Sequence, residues 1–377
     1  MNKKEILEIR KLLAKENTRI DRISGCYIDG NKEKKALFQN SFFSLSEEAM
    51  FKYSEIFRKT LSGTIGKNLN TLEFPLEEEM NGEKHKLLQE MVKSGLEEES
   101  LNERFFDQII QTYNYPENYL ILLAHGVYDI PKKSSDGMEV FDGSEYVYSF
   151  IVCSICPVNL SKPGLCFDDM SKTFVEHLQD WMVQMPMNGF LFPAFQDRNT
   201  DVHSLLYYTK KTDELHTELT EEILGCYPPV SATDQKLNFN ALVEEVFDKE
   251  CDFDTVKEIH ETVKKLAEEK KEEAEPFALE KNDIKTILEE SGAPKERLNL
   301  VDESFDSETG QGEKIMISNI VSNGKFEVKA PDIKISVSSD RTDLIERKVV
   351  EGQECLVIPL TDEIEVNGIR IRNHIES

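Results

Sequence analysis

Apolar residues recur at helical spacing in residues 3–15, where Ile6, Ile9, Leu12 and Leu13 share a face and predict a short amphipathic helix. Two apolar stretches then flank Asp29-Gly30-Asn31. Gly and Asn tolerate the positive φ of a tight turn, so 19–28 and 35–43 read as a β-hairpin. Ser44 or Ser46, followed by Glu47 and Glu48, caps a helix to about Leu61 that turns Met50, Phe51, Ile56 and Phe57 inward. Residues 77–112 are helical in two pieces divided near Ser94-Gly95.

The strongest strand patterns are YLILLAHGVYDI (119–130) and EYVYSFIVCSIC (145–156), joined by a linker from Pro131 to Gly143. GFLFPAFQ (189–196) is a third, with Pro193 pointing to an edge or a bulge. Residues 171–184 and 202–225 carry helical patterns, the second ending at Gly225 ahead of Pro228-Pro229. Helices at 237–248, 254–274 and 281–291 follow, then a polar loop at 302–313. Beyond it KFEVKA, DIKISVS, ERKVVEGQECLVIPL and EIEVNGIRIR alternate with period two. The expected fold is α+β. An N-terminal domain (1–230) has an antiparallel sheet flanked by helices. A C-terminal domain (231–377) has a helical segment (237–291) and a small β-rich module (314–377).

No apolar run reaches 18 residues, and the charged start MNKKEILEIRKLL lacks the apolar core of a signal peptide. These features predict a cytoplasmic protein without a membrane partner. The net charge of −27 opposes broad contact with DNA phosphates or anionic lipid. Residues 1–36, however, hold ten Lys or Arg against six Asp or Glu, which leaves room for a local basic surface.

Chemistry is thinly signalled. Cys153 and Cys156 are spaced C-x-x-C, but residues three apart on a strand point to opposite faces. A zinc site would need two further ligands, and a redox pair belongs at a helix N-terminus. A buried strand is the simpler assignment, with neither metal nor cofactor. FRKTLSGTIGKNL (57–69) has Leu61 where a phosphate loop needs its first Gly, and Asn68 where it needs Ser or Thr. It reads as a helix end and its capping turn. CPVNLSKPGL (156–165) reads as an ordered turn with Lys162 at its tip. His125, Asp129, Asp197, Asp201 and His203 offer acid–base groups, yet no spacing forces them together. No G-x-S-x-G elbow supports a Ser/His/Asp arrangement.

RISGCYIDG, FRKTLSGTIGKNL, NYLILLAHGVYDIP, CSICPVNLSKPGL, GFLFPAFQDR and DVHSLLYY together resemble a bacterial family of proteins without known activity, over almost the whole chain. The order of elements, from the hairpin at Asp29-Gly30 to the terminal segments between Lys325 and Arg372, also resembles the nucleoid-associated NdpA family. That second resemblance implies a non-enzymatic protein partnered with DNA or with nucleoid proteins. Its contacts would then fall on a local patch, for which Arg19, Arg22, Arg58, Lys59 and Lys67 are the candidates. The alternatives are an enzyme with a cleft near His125, Asp197 and His203, or an interaction scaffold docking through its C-terminal β module.

Overall fold

Hydrophobic side chains on both faces of one sheet organise the N-terminal unit. Its first strands are Ile20–Ile28 (β1), Lys34–Ser41 (β2), Leu69–Glu73 (β3), Tyr119–Lys133 (β4) and Glu139–Leu160 (β5). Gly164–Asp168 (β6), Thr173–His177 (β7) and Trp181–Val183 (β8) form an excursion. Asn188–Phe192 (β9), Ala194–Gln196 (β10), Asn199–Asp201 (β11) and Ser204–Thr209 (β12) complete the set. The computed structural model describes residues 1–133, 139–177, 179–248, 250–270, 277–309, 315–321, 324–359, 365–366 and 368–370. Two units emerge, one built on Met1–Thr233, the other on Asp234–Glu272 and Phe277–Ser377.

The main sheet has the order β2-β1-β4-β5-β9-β12-β3, with every neighbouring pair antiparallel and β8 added to the end of β5. Lys3–Leu12 (α1) and Glu47–Thr60 (α2) cover one face, where Ile9, Phe57 and Leu61 meet Leu122, Val152 and Leu191. After the short helix Leu76–Asn81 (α3), Glu83–Ser94 (α4) and Glu99–Thr112 (α5) cover the other, where Met91, Phe106 and Ile109 meet Leu123, Cys153 and Phe190. A sheet buried on both sides explains why its central strands read as continuous apolar runs.

Cys153 and Cys156 sit in the two different core layers, as the alternation along β5 requires. Both thiols are fully buried, and burial pushes both well above the usual thiol range. In the native protein both are expected to resist a thiol reagent that modifies the exposed Cys166 at once. Labelling with mass-spectrometric readout checks this, and rapid modification of Cys153 would mean that β5 is not a central strand.

Several expected elements differ. The described residues of 171–184 form strand and turn, not a helix: Phe174, Val175, Trp181 and Met182 mimic helical spacing but belong to β7 and β8. The 202–225 segment is strand β12 followed only by the helical turn Glu218–Leu224. All six residues of β12 are buried, so no alternation marks it as a strand. Phe51 is 42% exposed rather than inward, because the buried stripe of α2 runs through Ser54, Phe57 and Thr60. β3 was not expected.

In the C-terminal unit Ala232–Val246 (α6), Phe253–Glu269 (α7), Lys281–Glu290 (α8) and Leu300–Thr309 (α9) enclose a core that includes Leu242, Val263, Leu288 and Val301. The polar loop expected at 302–313 is thus helical as far as Thr309, since buried Val301 and Phe305 anchor one face of α9. Lys325–Ala330 pairs with Ile333–Ser338, and Glu346–Val350 with Gln353–Val357, as separate hairpins. Residues 134–138 of the expected linker, 310–313 of the expected loop and parts of 363–372 lie outside the described residues. The class is α+β in both units. Among the described residues no helix is long and apolar enough to cross a membrane.

Candidate functional site

Regular pairing of β1 with β4 breaks once. Ile20 faces Gly126 and Arg22 faces His125, which leaves Asp21 as the extra residue of a bulge. A bulge re-aims the side chain it carries, and here the Asp21 carboxylate turns onto the imidazole of His125. Nδ1 of His125 lies 2.8 and 3.0 Å from the two carboxylate oxygens. On the other side of the ring, Nε2 lies 2.8 Å from Oγ of Ser149 on β5. An ionised carboxylate only accepts, so Nδ1–H donates to Asp21, and in the neutral imidazole Nε2 then accepts the Ser149 hydroxyl proton.

His125 projects from the face covered by α4 and α5, the face that carries Leu123 and Ile151. Gly95 caps α4 in the left-handed region at φ +61°, and a Cβ built there would stand 3.5 Å from the imidazole Cε1. The end of α4 therefore closes over the ring. The His125 side chain is only 6% exposed, whereas that of Asp21 is 48% exposed and Ser149 is half-buried. The carboxylate is thus the most exposed member of the row, while the base between it and the half-buried Ser149 is shielded.

Charged groups complete the surroundings. Arg22, directly opposite His125 in register, holds Glu97 at 2.7 Å. Gln39 donates to the Glu97 carbonyl, and Asn102 donates to the Leu96 carbonyl. The buried Oδ1 of Asn102 has no donor among the described residues.

His125, Asp197 and His203, proposed together from the sequence, do not come together. His203 binds Glu79 at 2.9 Å just before β12, with β9 and β5 between that strand and β4. Its imidazole is raised above the usual range by that carboxylate. Asp197 sits near α1, its amide donating to Glu5. The five basic candidates divide as well. Arg22 faces the α4–α5 side, while Arg58 and Lys59 end α2 on the opposite face and Lys67 lies in the turn after it. Arg19 is exposed at the start of β1. α2 is capped at Leu61, and Gly66-Lys67 lies in a separate turn leading into β3, in which Asn68 accepts from the Thr64 amide and donates to the Thr209 carbonyl.

Other concave or titratable features are occupied by structural duties. An open groove of about 490 Å³ runs past Glu78, Lys84, Glu221 and Tyr227. There Glu78 accepts the Lys84 and His85 amides at the start of α4, and Lys84 donates to the Glu221 carbonyl. Among the described residues no group of three or more His, Cys, Asp or Glu side chains is placed to hold a metal ion. Asp21 and Ser149 escaped sequence reasoning because they lie 104 and 24 residues from His125. One local signal existed. Ile20 and Ile23, both buried on one face, stand three apart where an unbroken strand would space them by two.

The chain belongs to the DUF4317 family, described as a domain of unknown function, whose model matches residues 1–369. No curated protein matches it. The resemblance to a family without known activity is thereby established over almost the whole chain, and the NdpA likeness gains nothing from either comparison.

Proposed function

We propose that this protein is a serine hydrolase, with Ser149 as nucleophile, His125 as general base and Asp21 as the group that orients the imidazole. The observation that carries the reading is the polarity of the relay. Carboxylate, imidazole and hydroxyl follow one another at 2.8 Å on each side of the ring. In the first step Oγ would attack an ester or amide carbonyl while its proton passes to Nε2. The imidazolium then protonates the leaving group as the carbonyl–leaving-group bond breaks. Water, deprotonated by the same nitrogen, hydrolyses the acyl-Ser149 and restores the starting state. Arg22 shares the face with His125, and on release from Glu97 its guanidinium would stabilise negative charge on the substrate oxygen.

Incubation of the full-length protein with a fluorophosphonate probe tests this. Covalent mass on the peptide containing Ser149 is expected, absent from Ser149→Ala and strongly reduced in His125→Ala. Failure to label Ser149, under conditions that label a reference serine hydrolase, would end the hydrolase reading.

A second reading, direct contact with nucleic acid and through it the nucleoid, is favoured by the end of α2. Arg58 and Lys59 make no ion pair among the described residues, whereas Arg22 is neutralised by Glu97. Each neutralised phosphate adds nearly one unit to the log–log salt slope, so so small a patch implies weak binding with a slope of about 2–4. Arg58→Glu combined with Lys59→Glu is expected to abolish a DNA mobility shift at low salt. No shift with the wild type would dispose of direct contact.

A further inference from the structure

The β6–β7 excursion is made of surface that the fold does not use. The Asp168 carboxylate accepts the Met170 and Ser171 amides and so fixes the turn. Phe167 and Phe174 face each other across the hairpin with ring centroids 5.5 Å apart. The hairpin is a sheet of two strands, which leaves the outer edge of β6 without a partner strand among the described residues. None of Leu165, Phe167, Met170 and Phe174 enters either core layer of this unit. Leu165 is 72%, Met170 98% and Phe174 66% exposed, and Trp181 and Met182 on adjoining β8 are also half-exposed or more. Taking about 200 Å² for a large side chain, the exposed apolar area is about 800 Å². Isolated chains rarely leave patches above roughly 600 Å², and a stable dimer needs roughly 800 Å² from each partner.

We infer that this arm is a dimer interface, in which β6 pairs antiparallel with β6 of a second copy about a two-fold axis. The strand is complementary to itself. With Cys166 on the axis, Leu165 falls opposite the second copy's Phe167, and Gly164 opposite its Asp168. That register also sets Lys162 opposite the second copy's Met170 and diagonal to its Asp168, so opposite charges flank an apolar centre. Self-pairing through β7 would instead set Phe174 against a carboxylate, Glu176. A lipid surface fits less well, because the arm carries Asp168, Asp169, Glu176 and Asp180 on a chain of net charge −27. Open, uncharged strand edges pair readily unless something blocks them, and β6 has no charge before Asp168.

The test uses the full-length protein. Sedimentation velocity is expected to show a dimer at micromolar concentration that tightens as salt screens the repulsion between two acidic chains. Residues paired across such an axis lie about 4.5–5.5 Å apart between Cα atoms, so a short bis-maleimide should trap the dimer through Cys166. Cys166→Ser should abolish that cross-link. Phe167→Asp, at an exposed position, should raise the dimer dissociation constant roughly 100-fold while leaving the circular dichroism unchanged. A monomer at every concentration, or a dimer indifferent to Phe167→Asp and not trapped through Cys166, would overturn the inference. So would a monomer that sediments with phosphatidylcholine vesicles. Neither result bears on hydrolysis.

Discussion

Ser149→Ala and His125→Ala are each expected to lower hydrolytic turnover by about 10⁶-fold, and the double variant to lose no more than either alone. A nucleophile and its base work as a unit, so once one is gone the other has nothing left to contribute. Asp21→Asn should lose less, about 10²-fold, for a reason visible in its exposure. The Asp21 side chain is 48% exposed, so water screens its charge, and an exposed amide can rotate to offer its oxygen to Nδ1–H. Ser149→Ala removes one partly exposed hydrogen bond and should cost only about 1 kcal/mol of stability. Specific activity on an ester panel, with thermal unfolding run beside it, separates the two effects. Losses that simply add across the three positions would show that they do not act together.

Gly189→Ala is expected to destabilise the N-terminal unit by about 3 kcal/mol and to lower its melting temperature by about 6–12 °C. A Cβ at this position would stand 2.3 Å from the Cys153 carbonyl oxygen and 2.7 Å from Cγ2 of Thr60. The carbonyl belongs to a central strand and cannot withdraw without opening the pairing of β5 with β9. Thr60 is equally fixed, because its hydroxyl shares a buried 2.6 Å hydrogen bond with Ser154 that ties α2 to the sheet. Gly164→Ala is the control, since a Cβ there meets nothing within 4 Å. Calorimetry that found the two substitutions equally harmless would mean that α2 does not press on β9 at this point.

The glycine illustrates a wider division. Nothing in GFLFPAFQ tells a reader that a threonine from residue 60 lies above Gly189, because the contact joins segments 129 residues apart. The opposite faces of Cys153 and Cys156 needed only the period of a strand, and that local rule held. Local chemistry also located the first hairpin. Asp29 accepts the Asn31 and Glu33 amides through one carboxylate oxygen, a turn whose residues are all adjacent in sequence.

The amino-acid sequence by itself determined the α+β class, the first hairpin, the two central strands, most helices and which side chains share a face. All of these follow from periods of two or 3.6 residues and from capping and turn groups a few positions apart. Tertiary structure decided the rest. Pairing β1 with β4 and β4 with β5 set Asp21, His125 and Ser149 in a row. The same packing held His125, Asp197 and His203 apart and set Arg22 on the face opposite Arg58 and Lys59. Burial on both faces hid β12, since a strand with every residue buried has no polar phase to read. Periodicity encodes which way a side chain points, and only the pairing of distant strands decides what it points at.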